Sequence, residues 1–126
     1  MTTGNRPLSP HLQIYKLPMA GKMSITHRMT GIIMSLGLVF FTYWICSAAY
    51  GPEAFETAQA VMHSWFGLLI IFGWTASLFY HLVNGIRHMR WDTVNGLEKE
   101  DLIASGRVTI GLAVILTVAF WIFALI

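Results

Sequence analysis

The chain has little charge. Asp, Glu, Lys and Arg together make up 11% of its 126 residues, against roughly 25% in typical soluble domains. With 56% apolar residues, it cannot cover a water-facing surface with polar groups, which excludes an ordinary soluble domain. Its single cysteine, Cys46, excludes a disulfide framework and a cysteine-held iron–sulfur cluster. Cys46 lies in an apolar stretch and reads as a small packing residue. There is no Gly-x-Gly-x-x-Gly dinucleotide fingerprint, no internal repeat and no low-complexity segment. Residues 1–10 lack the apolar core of a cleaved signal peptide, so the first apolar span is expected to be retained.

What the chain does have is three long apolar runs, at about residues 29–50, 61–83 and 108–126, none containing Asp, Glu, Lys or Arg. Each is close to the ~20 residues that cross a ~30 Å hydrocarbon core as a helix. An unpaired backbone cannot sit in lipid, and the alternating period of a barrel strand is absent. The expected fold is therefore an all-α membrane protein. An irregular arm over residues 1–21, with Pro7, Pro10 and Pro18, precedes a three-helix anchor domain over residues 22–126. Helix one is expected to start near Lys22 to Ser24. Gly51-Pro52 marks a turn, after which helix two is expected to run unbroken to about Trp91. Residues 95–101 form a polar connection, and Ser105-Gly106 reads as the approach to helix three. That helix is apolar nearly all round and faces lipid or another hydrophobic subunit.

The charges are one-sided. Arg6, Lys16, Lys22 and Arg28 precede span one, and Arg87, Arg90, Lys99 and Arg107 separate spans two and three. The loop between spans one and two carries only Glu53 and Glu56. All eight basic residues thus fall on one side, which the positive-inside rule makes cytoplasmic, or the matrix side in a mitochondrion. The N-terminus is expected inside and the C-terminus outside. The basic residues act as topology anchors, which argues against nucleic-acid binding.

The run from Tyr80 to Asp92 begins in an apolar span and ends in charge. His81 and His88 are two helical turns apart on one face, with Gly85 between them. A histidine inside a membrane span is a functional-site hypothesis by default. Two readings of His81 stand: a neutral histidine hydrogen-bonding a neighbouring helix, or an axial haem ligand with Arg87, His88 or Arg90 near the propionates. A ligating histidine donates its other ring N–H to an acceptor, here Asn84 or a backbone carbonyl. For the opposite face, His63 is about 27 Å away along a continuous helix and is excluded. His27 is the intrachain candidate; otherwise a second subunit supplies the ligand. Arg87 and Arg90 also suit a helix C-terminus and its membrane boundary. His88 and Asp92, at i and i+4, can contact each other, or Asp92 can relay protons. Ser24, His27 and Arg28 share a face, reading either as a helix start with a topology-setting cation or as a polar pocket for a quinone oxygen. His63 and His11 read as solvated or hydrogen-bonded residues, and the five tryptophans as packing and interface residues.

Three motifs give these readings a family context. Arg6-Pro7-Leu8-Ser9-Pro10-His11-Leu12-Gln13-Ile14-Tyr15 resembles the N-terminal signature of the cytochrome b subunits of succinate dehydrogenase, the larger membrane anchors of respiratory complex II. Ser24-Ile25-Thr26-His27-Arg28-Met29-Thr30-Gly31 resembles their second motif, Ser-Ile-x-His-Arg-x-Thr/Ser-Gly. The run from His81 resembles their third, His-x-x-x-Gly-Ile-Arg-His-x-x-x-Asp. Order and spacing agree over nearly the whole chain, without departure at a motif position; residues 93–107 and the third helix match only in character.

The resemblance implies that His81 is an axial ligand of haem b and that a second hydrophobic anchor subunit supplies the other histidine. It implies propionate contacts at His27, Arg28, Arg87 and His88, and a quinone site with Ser24, Arg28 and Ile25 as its apolar wall. A flavoprotein and an iron–sulfur subunit are the implied soluble partners, passing electrons from succinate to ubiquinone or another quinone. The implied place is the bacterial cytoplasmic membrane or the mitochondrial inner membrane, within the respiratory chain and the tricarboxylic acid cycle. Two other functions fit the residues: a stand-alone b-type cytochrome with intrachain His27/His81 ligation, and a haem-free structural membrane subunit.

Overall fold

The computed structural model describes residues 15–126. His11 and the N-terminal motif up to Ile14 lie outside the described residues. Four helices follow in order: α1 (Met19–Ala49), α2 (Pro52–His63), α3 (Trp65–Asp92) and α4 (Lys99–Leu125). Of these, α1, α3 and α4 are long and apolar enough to cross a membrane. α3 packs along both α1 and α4, with a smaller α1–α4 contact, and α2 closes the end where α1 gives way to α3.

Burial is inverted relative to a soluble domain. Large apolar side chains such as Leu36, Val39, Leu69, Ile115 and Ile122 point outward, whereas Thr30, Ser47, Thr75, Ser77, Asn84, Arg87, Thr109 and Thr117 are buried. In lipid this is the expected distribution. Exposed hydrocarbon costs nothing there, and small or hydrogen-bonded polar side chains fill the space between helices. Two glycines set the close approaches. A Cβ on Gly37 would clash with the Trp74 indole ring, whose Nε1 donates to the Met34 carbonyl at 3.1 Å. A Cβ on Gly106 would lie 2.9 Å from Met23 Sδ and 3.0 Å from Met19 Cε. Further ties are Tyr80 Oη to the Met23 carbonyl (3.1 Å) and Trp121 Nε1 to Thr75 Oγ1 (2.9 Å).

Several boundaries differ from the sequence expectation. α1 starts at Met19, inside the expected arm of residues 1–21. Pro18 is extended (φ −62°, ψ 158°), and its carbonyl accepts the first helical bond, from Lys22 N at 3.1 Å. The expected single helix from the Gly51-Pro52 turn to Trp91 is two helices, so the second span begins at Trp65 rather than at residue 61. Ser64 makes the break. It is extended (φ −64°, ψ 155°) and caps α3, its Oγ accepting from Gly67 N at 3.1 Å and donating to the Val61 carbonyl at 2.6 Å. The chain also enters α4 at Lys99 and runs through Ser105-Gly106 without interruption, with Gly106 at a close approach of Met19 and Met23. Cys46, expected to be a packing residue, is exposed on α1.

Candidate functional site

Three histidines converge where the beginning of α1 meets the end of α3. The His27 and His81 rings stack with centroids 3.7 Å apart and planes 14° from parallel. His88 lies over the other part of this cluster, 5.1 Å from His27, with Trp91 edge-on to it at 4.8 Å. The two-turn spacing on α3 places His81 and His88 on the α1-facing side, as the sequence predicts. His88 meets His27 and Trp91 rather than Asp92, which is exposed.

His81 is held at one nitrogen. Its Nδ1 lies 3.0 Å from the His27 carbonyl oxygen and 3.0 Å from Thr30 Oγ1. Thr30 Oγ1 in turn donates to the same His27 carbonyl at 2.8 Å. Of the two acceptors open in the sequence, the backbone carbonyl is the one used, and Thr30 joins it. Thr30 was not singled out from the sequence. A threonine on a helix face carries no signal until the fold places it 51 residues away beside His81.

Asn84, fully buried, faces elsewhere: its Oδ1 accepts from Arg87 Nη1 at 3.3 Å. Arg87 is only 5% exposed. Its Nε donates to Ser105 Oγ at 3.0 Å, its Nη2 to the Leu102 carbonyl at 2.8 Å, and its Nη1 also approaches Met23 Sδ at 3.7 Å. The guanidinium carbon sits 4.1 Å from the Trp91 ring centroid, a cation–π distance. Arg87 thus turns toward α4, with donors from all three guanidinium nitrogens in use within the chain, and is not placed among the histidines. Arg90 is exposed and packs over the loop, where a Cβ on Gly96 would meet its guanidinium at 3.0 Å.

Ser24, Ile25 and Arg28 lie on the outward side of the first turns of α1. Ser24 is half-buried, Ile25 and Arg28 are exposed. Around the histidines, Gly85 leaves room and Gly31 permits a close approach. A Cβ on Gly85 would meet nothing nearer than His27 Cε1 at 3.9 Å, and one on Gly31 would be 3.3 Å from His81 Cε1. Two polar atoms are buried without a hydrogen-bond partner among the described residues: His27 Nδ1 and Asn84 Nδ2. His63 is the last residue of α2, beside the opposite end of α3, with Nδ1 bonded to the Gln59 carbonyl at 2.9 Å. Among the described residues, no group of three or more His, Cys, Asp or Glu side chains has the arrangement to hold a metal ion. The geometry instead offers one imidazole fixed at Nδ1, stacked on His27 at the end of the molecule that carries Arg28 and His88.

Fold and site together define a multi-pass membrane subunit with three histidines gathered between α1 and α3 at one end. The family model described as succinate dehydrogenase/fumarate reductase transmembrane subunit matches residues 2–120, and the chain belongs to that family. A succinate dehydrogenase cytochrome b556 subunit of Paracoccus denitrificans is 43% identical over 95% of this chain and 95% of its own length. The corresponding b560 subunit of Reclinomonas americana is 38% identical over 94% of this chain and 85% of its own. The mitochondrial b560 subunit of Bos taurus is 43% identical over 93% of this chain and 70% of its own. The motif resemblance and these similarities therefore agree.

Proposed function

We propose that this chain anchors a succinate:quinone oxidoreductase in the membrane, supplies one axial histidine to a haem b and lines part of a quinone-reduction site. Its relatives are named as cytochromes b, and the residues fit such a cofactor. The observation that carries the reading is the tie at His81 Nδ1, which orients the ring and leaves Nε2 as the coordinating nitrogen. A haem supplies a one-electron redox centre when bound. The rest is performed by the chain itself. Gly31 lets the His81 ring lie close against α1, and Gly85 leaves room beside His27. The unpartnered Nδ1 of His27 is costly to bury and suits a propionate or a group from a second subunit. Arg28, His27 and His88 are the propionate-facing set. Arg87 fastens α3 to α4 beneath them.

His81 would hold the haem from this chain, and a partner would supply the other histidine. The His27 and His81 rings are in direct stacking contact, with centroids 3.7 Å apart, which leaves no room for a haem between them. This disfavours the intrachain cytochrome. A second hydrophobic anchor closes over the open face of α1, and iron–sulfur and flavoprotein subunits dock at the same end. The one-sided basic residues make that end the cytoplasmic or matrix side. At that surface Arg28 and Ser24 hydrogen-bond the quinone oxygens and Ile25 contacts its ring. Charge-assisted donors aimed where negative charge develops favour the reduced form. Succinate oxidation takes place on the soluble partners.

The test is a reduced-minus-oxidised spectrum of the purified complex with and without His81→Ala. Loss of the six-coordinate b-type signal is expected, and an unchanged spectrum in the variant refutes the ligand assignment.

A further inference from the structure

We infer that Thr30 is a positioning residue for His81, fixing its tautomer and tuning the electron donation of its coordinating nitrogen. The inference rests on the haem reading above and adds to it a residue outside the set of ligand, propionate and quinone contacts.

The hydrogen-bond geometry decides the tautomer. His81 Nδ1 has two oxygen neighbours at 3.0 Å, the His27 carbonyl and Thr30 Oγ1. A carbonyl oxygen can only accept. The Thr30 hydroxyl proton is directed to that same carbonyl at 2.8 Å, so its oxygen presents lone pairs to Nδ1. If Nδ1 carried a lone pair, it would face the carbonyl oxygen at 3.0 Å with no proton between them. The consistent assignment is Nδ1–H shared between two acceptors, with the lone pair on Nε2. The triangle Thr30–His27 carbonyl–His81 closes on itself. Thr30 both helps hold the imidazole and, by donating to the carbonyl, fixes where that second acceptor points.

The placement is built into the local sequence. Thr30 is the third residue after His27, so its hydroxyl can reach the His27 carbonyl along its own helix. The next residue, Gly31, lets the His81 ring approach, with a Cβ there already at 3.3 Å from Cε1. Thr30 itself is only 7% exposed, away from lipid and water, where an added acceptor on an imidazole N–H has its full effect.

An acceptor on the outer N–H raises the basicity of a ligating histidine and therefore favours the oxidised iron. Removing the hydroxyl weakens this while the carbonyl acceptor remains. Thr30→Val is close in shape and lacks the donor and acceptor; Thr30→Ala lacks the γ atoms altogether; Thr30→Ser keeps the hydroxyl and loses only the methyl. In a redox titration of the b-type absorbance of the assembled complex, Thr30→Val is expected to shift the oxidised-to-reduced ratio at fixed potential by up to about tenfold toward reduced. This corresponds to a midpoint increase of up to about 59 mV for one electron. Thr30→Ser is expected to titrate with the wild type. If Thr30→Val fails to assemble, Thr30→Ala gives the same reading. A b-type haem whose midpoint is the same in the hydroxyl-free variant and the wild type overturns this inference and leaves the haem assignment standing. A shift of equal size in Thr30→Ser also overturns it, because the methyl would then be responsible. A wild-type complex with no b-type haem overturns both.

Discussion

Replacing Arg87 by Ala separates a clamp from a cofactor contact. In the structure its guanidinium reaches Ser105 Oγ at 3.0 Å, the Leu102 carbonyl at 2.8 Å and Asn84 Oδ1 at 3.3 Å, and lies over Trp91. Two of these partners belong to α4, so the side chain joins α3 to α4 near the basic end. Truncation strands the Asn84 amide in a fully buried position and removes a charged donor from the Leu102 carbonyl. Hydrogen bonds to charged groups contribute about 1.5–3 kcal/mol each. Asn84 Oδ1 loses its partner, while the Leu102 carbonyl loses its charged donor and keeps only the longer contact from Ser105 Oγ (3.4 Å). The expected destabilisation is about 2–4 kcal/mol, set by the buried Asn84 oxygen left unsatisfied, at about 1–3 kcal/mol, and by the charged bond lost at the Leu102 carbonyl. Arg87→Lys should recover only part of it, because an ammonium cannot reach three acceptors in a fork. The assay is thermal unfolding of the detergent-solubilised complex, followed in parallel by helical circular dichroism and the haem spectrum. The expected result is a lower midpoint with an unshifted haem spectrum and potential in the protein that remains folded. A variant of wild-type stability whose haem potential moves would refute the clamp and return Arg87 to the propionates.

Other substitutions test separate parts of the molecule. Arg28→Ala should reduce quinone-dependent turnover about ten- to a hundredfold, the loss of one charged hydrogen-bond donor, while succinate oxidation with an artificial dye acceptor is preserved; equal loss of both activities would refute a role confined to the quinone site. Gly37→Ala puts a methyl in steric conflict with the Trp74 ring and should cost about 1–3 kcal/mol in the same thermal assay, with partial recovery in the double variant Gly37→Ala/Trp74→Leu. Ser64→Ala removes the α3 cap and should cost about 1 kcal/mol, read as faster amide exchange at Trp65 to Gly67. Val94 is a β-branched residue at φ 60°, so Val94→Gly should be neutral or stabilising by up to about 1–2 kcal/mol; a clear loss of stability would show that its side chain carries an interface.

The spans were legible because a run without charge leaves a chain few alternatives, and the inverted burial of Leu36 outward and Thr109 inward is what that composition demands. His81 was legible because imidazole is expensive in a membrane and because its spacing to Gly85 and His88 survives in the helix. What stayed hidden depends on a second element. Ser64 sits in a run whose average hydropathy is high, and an average cannot show that one hydroxyl bonds both Val61 and Gly67. Ser105-Gly106 has the composition of a helix start, and only the approach of Met19 and Met23 gives the glycine a packing role. Arg87 shares the basic cluster of the motif, but its direction is set by α4, whose register the sequence does not fix.

The same distinction bears on what the site requires from outside. Within the chain, every polar contact around His81 points to one side: Nδ1 to the His27 carbonyl and Thr30, and the ring face to His27. Arg87 and Asn84 look away, to α4 and Met23. Ile25 and Arg28 are uncovered on the outer side of α1. The chain therefore spends its internal hydrogen bonds on orienting one imidazole and on fastening its own helices, leaving the opposite side of the proposed cofactor and quinone without walls of its own. A single membrane helix from a partner, bringing a histidine to that side and covering Ser24 and Arg28, would complete both at once. On the proposed reading, haem retention and quinone affinity should consequently be lost together when that partner is absent, although the two ligands touch different residues of this chain.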